Sequence, residues 1–131
     1  MANYVNPDVV GPPFHLYSQV SVAGDLVSVA GQVGVDRDNQ LAGPDVTSQA
    51  LQTYENIRLI LESQGATLRD VVRFVTYLVD ADDIPGFYAA REQFFARHYE
   101  DGRYPPNTLL IVQALVKPEL RIEIDATARL A

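Results

Sequence analysis

The chain contains no cysteine and no tryptophan, one methionine and two histidines. Without cysteine it has no disulfide framework, no thiolate nucleophile and no thiolate metal site. Positive charge is also scarce: ten Lys and Arg stand against seventeen Asp and Glu, a net charge of −7, with no basic cluster to offset it locally. Because affinity for nucleic acid comes largely from neutralising phosphates, no nucleic-acid partner is expected. The charge instead favours solubility. No apolar run approaches the ~18 to 20 residues of a membrane span, so no membrane association is expected. The start Met1-Ala2-Asn3-Tyr4 lacks the basic-then-apolar character of a signal peptide, and the expected location is the cytoplasm. No repeat, low-complexity tract or linker divides residues 1–131, which read as a single domain.

What is present is an ordinary globular composition, 47% hydrophobic and 21% charged. A chain of this length buries roughly two-thirds of its unfolded surface. Residues 1–16, with three prolines and Gly11, read as an arm or loop. Val20 and Val22, the turn Ala23-Gly24-Asp25 and the return Leu26–Ala30 form a hairpin. Gly31 then allows another group to approach the backbone closely. After a polar loop, Asp36–Pro44, Asp45 caps a helix with Val46, Ala50, Tyr54, Ile57 and Leu61 on its apolar stripe, ended by Gly65. Thr67 and Asp70 form a short capped turn before a β-branched and aromatic strand, Val71–Val79. Asp83 is placed to cap a second helix with Pro85 in its first turn and Phe87, Ala90 and Phe94 buried.

The stretch Tyr104-Pro105-Pro106-Asn107-Thr108-Leu109-Leu110-Ile111-Val112 then closes one element and opens another. The prolines hold the chain extended and present Asn107 and Thr108 at the mouth of a strand. From Leu109 to Val112 no polar residue occurs, the pattern of a strand covered on both faces. The last strand, Leu120–Ala128, alternates, with Leu120, Ile122, Ile124 and Ala126 on one face and Arg121, Glu123, Asp125 and Thr127 on the other. The expected architecture is α+β, a single mixed sheet with two helices on one face. Two helices cover only one face, yet Val71–Val79 and Leu109–Val116 are apolar on both. The open face is therefore expected to be buried against other copies in a closed homo-oligomer.

The chain also resembles the Rid family, the reactive intermediate deaminases, over nearly its whole length. The resemblance rests on Tyr17-Ser18-Gln19, Gly24–Gln32, the corner Gly65–Val72, Phe94-Phe95 and Ile122–Ala126, which match in order and spacing. It implies a chorismate-mutase-like fold, a homotrimer with small-molecule clefts at the subunit interfaces, and hydrolysis of enamines and imines without metal or organic cofactor. It also implies that Glu123 helps place an attacking water. The family's carboxylate-holding arginine is replaced by Asn107, which can donate hydrogen bonds but carries no charge. Ala30 stands at a small-residue position, Tyr88 at that of a helix-borne asparagine, and His15-Leu16 in place of Gly-Pro.

The resulting site residues are Glu123 and Asn107 for chemistry, with Tyr17, Gly31, Tyr88, Thr108 and Leu109 binding the ligand. Each has a plainer reading. Glu123 can be a solvated or ion-paired carboxylate, Asn107 a turn cap, and Tyr17 and Tyr88 interface packing. His15 is an idle arm residue or a base. His98 complements the dipole of the second helix. Arg103, two residues before the diproline, could return a positive charge to the cleft. Three functions remain: a hydrolase whose substrate lacks an anchoring carboxylate, a non-catalytic ligand-binding or regulatory protein, and an endoribonuclease, which the acidic charge disfavours.

Overall fold

Asp45 starts the longest element. Its side chain accepts a hydrogen bond from the Ser48 N–H at 2.9 Å, capping α1, Val46–Ser63. The stripe Ala50, Tyr54, Ile57 and Leu61 is buried throughout. Gly65 follows with φ of 80°, the left-handed conformation that lets the chain leave the helix. Thr67 and Asp70 then form a reciprocal capping box over a 3₁₀ turn, Leu68–Asp70. The computed structural model describes all residues, 1–131.

The six strands are β1 (Asn3–Val5), β2 (Val20–Ala23), β3 (Leu26–Val33), β4 (Val71–Leu78), β5 (Asn107–Ile111) and β6 (Ile122–Arg129), in the order β1-β2-β3-β6-β4-β5. Only β4 and β5 run parallel, joined through α2, Ile84–His98, so the sheet is mixed as expected. Gly24, with φ of 61°, turns the β2–β3 hairpin. Ile122, Ile124, Ala126 and Ala128 of β6 are buried beneath the helices, and Glu123, Asp125 and Thr127 face the other way. At the centre of the core, Tyr54 meets Phe74 edge-on at 5.7 Å and stacks on Phe94 at 5.2 Å.

Three expectations are corrected. The N-terminal arm contains a strand: Asn3, Tyr4 and Val5 pair with Val22, Ser21 and Val20 at one sheet edge. Asp83 precedes α2 but makes no capping hydrogen bond. Its backbone is already helical, φ −82° and ψ −7°, unlike the extended Ncap conformation, and its carboxylate accepts a bond from Arg121 Nε at 2.7 Å. The strand after the diproline begins at Asn107 and forms the other sheet edge, bonded only to β4. Leu110 and Ile111 are 45% and 47% exposed, so the chain alone does not cover this strand's faces.

A buried glutamine fixes the strand that carries Glu123. Gln49 on α1 is fully enclosed; its Nε2 donates to the Gly43 and Glu119 carbonyls at 2.9 and 3.1 Å, and its Oε1 accepts from the Arg121 N–H at 2.8 Å. Gly34 packs so closely that a Cβ there would lie 2.5 Å from Gln49 Cβ. Gln49→Leu leaves those three backbone groups unpaired. It is expected to reduce stability by about 2–4 kcal/mol, seen in urea denaturation as a lower midpoint with an unchanged slope.

Candidate functional site

Glu123 occupies a place that a local irregularity in the sheet creates. Along the β3–β6 ladder Val29 pairs with Ala126 and Gln32 with Ile124, leaving a bulge at Ala30-Gly31. The Glu123 side chain lies across this bulge. A Cβ on Gly31 would come 2.7 Å from its carboxyl carbon and collide with one of its oxygens. Gly31 is thus the close-approach glycine expected from the sequence, and the group approaching is the candidate catalytic carboxylate.

The carboxylate borders a hollow of about 390 Å³ that Tyr17, Gln32, Val116 and the arm residues around Phe14 also line. No cation pairs with Glu123; the chain's ion pairs join Arg58, Arg69, Arg121 and Arg129 to other acids. Within its own chain Glu123 thus has no ionic partner. Burial, and secondarily the negative charge of Asp125, push the Glu123 carboxyl above its ordinary range. Asp125 is in turn held by the Tyr77 hydroxyl, which donates to it at 2.9 Å. A partly buried carboxylate with no ionic partner in its own chain, bordering a hollow, is a group suited to taking a proton.

Tyr17 is 44% exposed, and its hydroxyl accepts from the Phe14 N–H at 3.1 Å, so the ring closes a turn of the arm while bordering the hollow. His15 is exposed and lies outside it. Two residues not singled out beforehand hold this half of the site together. Gln32 Nε2 donates to Gln19 Oε1 at 2.8 Å and to the Ala30 carbonyl at 3.2 Å, and Gln19 Nε2 donates to the Gly11 carbonyl at 3.0 Å. This buried pair ties the arm to the bulge. The signal for it was present in Tyr17-Ser18-Gln19 and Gly31-Gln32, two of the stretches that carry the resemblance.

Asn107 lies elsewhere. It pairs with Phe74 on the helix-covered face, and its Oδ1 accepts from the buried Thr76 hydroxyl at 2.8 Å. With the oxygen engaged, the amide N–H groups remain to donate. Asn107, Tyr88 and Leu109 border a second hollow of about 680 Å³, floored by Phe74 and Phe95 and walled by Tyr104. Thr108 pairs with Val75, so it points to the opposite face and lines neither hollow. Arg103 borders a third hollow with Arg69 and Tyr99, away from both Asn107 and Glu123. His98 packs on Phe94 with ring centroids 4.2 Å apart. Burial and then Arg58 lower its pKa, which opposes the cationic, dipole-complementing role expected for it.

The registers make the central geometric fact plain. Asn107 shares the helix-covered face with Phe74 and Thr76, whereas Glu123 pairs with Tyr77 on the open face. One chain does not bring the two together. It presents two separate hollows, one bordered by Glu123, Gly31 and Tyr17 and the other by Asn107, Tyr88 and Leu109.

Residues 10–130 match the family model described as Endoribonuclease L-PSP. The chain is 32% identical over 122 residues to the 2-iminobutanoate/2-iminopropanoate deaminase of Salmonella typhimurium, covering 93% of this chain and 90% of that one. The chain belongs to the Rid family. Its Rid-family relatives include the deaminase of the same name from Escherichia coli, 30% identical over 122 residues with 93% and 90% covered. A RutC family protein of Pyrococcus horikoshii is 33% identical over 123 residues, again with 93% and 90% covered. Among solved structures, RidA from an Antarctic Psychrobacter superposes with a TM-score of 0.86 at 29% identity, covering 98% of this chain and 99% of that one. The E. coli YjgF gene product gives 0.88 at 26%, with 97% and 98% covered. The mixed sheet with two helices is thus the fold of these Rid-family structures.

Proposed function

We propose that this Rid-family chain hydrolyses an enamine or imine in a cleft between copies of itself, in a homotrimer. The observation that carries the proposal is the Glu123 carboxylate, partly buried over the Gly31 bulge with its pKa raised and no ionic partner in its own chain. Two relatives matched over nine-tenths of the chain are named 2-iminobutanoate/2-iminopropanoate deaminase, which supports imine chemistry at this site. Leu110 and Ile111, on opposite faces of the edge strand β5, are both left about half exposed by the chain, which supports the association of copies.

In the proposed step Glu123 takes a proton from water as the water oxygen bonds to the iminium carbon, giving a carbinolamine. That proton passes to the nitrogen; the hydroxyl proton then goes to Glu123 as the carbonyl forms and the C–N bond breaks, and the departing ammonia takes it up to leave as ammonium. Asn107, from a neighbouring copy, donates a hydrogen bond to a neutral carbonyl of the substrate. It cannot make the charged, two-pronged contact of arginine, so a carboxylate adjacent to the reacting carbon is not the recognised group. The reaction uses water and this carboxylate, with no metal or organic cofactor in it.

The test follows imines, with and without a carboxylate, to their carbonyl products against the spontaneous rate. At least one neutral or aromatic imine should be hydrolysed faster with the protein present. Hydrolysis at the spontaneous rate for every imine would leave the non-catalytic ligand-binding reading in its place.

A further inference from the structure

Arg91 stands on α2 one turn beyond Tyr88, on the wall of the same hollow as Asn107. Its guanidinium carbon lies 4.8 Å from the Tyr88 ring centre and 5.0 Å from that of Phe87, so two aromatic faces steady it. It takes part in none of the chain's ion pairs. Its planar fork of N–H donors is therefore uncommitted, half-buried, and directed along a wall of a hollow that already offers the Asn107 amide. The other charged group on that wall is Glu92, which is exposed. Tyr104 borders the hollow as well, and the floor is aromatic. The hollow is open on one side, and its aromatic floor favours an apolar body over a short acid.

The structure assigns Arg91 to binding an acidic group at the far end of the ligand, removed from the carbon that reacts. The ligand class is an aromatic or extended apolar body bearing a carboxylate, the body lying on Phe74 and Phe95 between Asn107 and the guanidinium. What the ligand undergoes rests on the imine-hydrolase reading above; how it binds does not.

Binding of 4-phenylbutyrate and of its neutral amide, 4-phenylbutyramide, to the full-length protein separates charge recognition from apolar packing. The native protein is expected to bind the acid at least about tenfold more tightly than the amide. Arg91→Met, which keeps the stacking bulk, should abolish that preference by weakening the acid's binding far more than the amide's, and Arg91→Lys should retain part of it. Pyruvate, a short acid, should bind more weakly than 4-phenylbutyrate. Equal affinities for acid and amide in the native protein, binding of neither, or an equal loss of both in Arg91→Met would overturn the assignment. Unfolding of Arg91→Met would leave Arg91→Lys to decide it: a variant that folds without preferring the acid counts against it. If binding follows these expectations and no imine is hydrolysed, the catalytic reading falls and the assignment stands. If imines are hydrolysed and Arg91 proves irrelevant to the acid, the reverse holds.

Discussion

Replacing Glu123 with glutamine is expected to lower kcat/KM for imine hydrolysis by about 10²- to 10⁴-fold, the usual contribution of a positioned proton acceptor. The amide keeps the shape over the Gly31 bulge but cannot take a proton from water. In the native protein activity should rise with pH as Glu123 ionises, and because burial and Asp125 push its pKa upward, that rise should lie above the ordinary glutamate range. Glu123→Gln should show no such limb. Stability should respond in the opposite sense. A carboxyl whose pKa is higher in the folded state binds its proton more tightly there, so its contribution declines as pH rises from the ordinary glutamate range through the raised value. The variant should therefore be at least as resistant to urea as the native chain at neutral pH. A variant of native activity would place the chemistry elsewhere.

Asn107→Arg is expected to act in the opposite direction on a single substrate class. A bidentate guanidinium–carboxylate contact is worth on the order of 2 to 4 kcal/mol, or ~10²- to 10³-fold in transition-state stabilisation. The substitution should therefore raise kcat/KM for short 2-imino acids, whose carboxylate adjoins the reacting carbon, by that amount. It should do little for neutral imines. It also removes the acceptor of the buried Thr76 hydroxyl, a penalty of about 1 kcal/mol. The comparison is made on imines generated from a neutral amino acid by an amino acid oxidase. If the native protein already turns these over at a rate the substitution does not improve, charge at this position is not what sets specificity.

Much of the scaffold was legible because its signals are local. The Asp45 cap, the Gly65 exit, the Thr67–Asp70 box and the alternation along β6 each depend on residues within a turn or a strand of one another. β1 escaped because three residues, Asn3-Tyr4-Val5, carry no periodicity and become a strand only by pairing with β2. Asp83 looked like a cap, but its carboxylate was drawn to Arg121, 38 residues away.

The arrangement of the candidate residues was not legible in the sequence. Gly31 and Glu123 could be named separately, yet their contact depends on a bulge in the β3–β6 ladder. The division of Asn107 from Glu123 depends on the pairing of β5 and β6 with opposite sides of β4, which is long-range information. Arg91 gave no sign of itself. A helical arginine is ordinarily paired or solvated, and its freedom from acids shows only once every neighbour is placed.

The central claim is that the two half-sites meet between chains, and subunit mixing tests it directly. Glu123→Gln disables one half, and Asn107→Trp fills the hollow of the other. Each variant alone should be inactive. Unfolded together in equal amounts and refolded, they should recover about a quarter of native activity, because in a closed ring that fraction of interfaces joins an intact Glu123 from one chain to an intact Asn107 from its neighbour. No recovery from a mixture shown to contain both chains in one oligomer would contradict the account, since each site would then lie within a single chain.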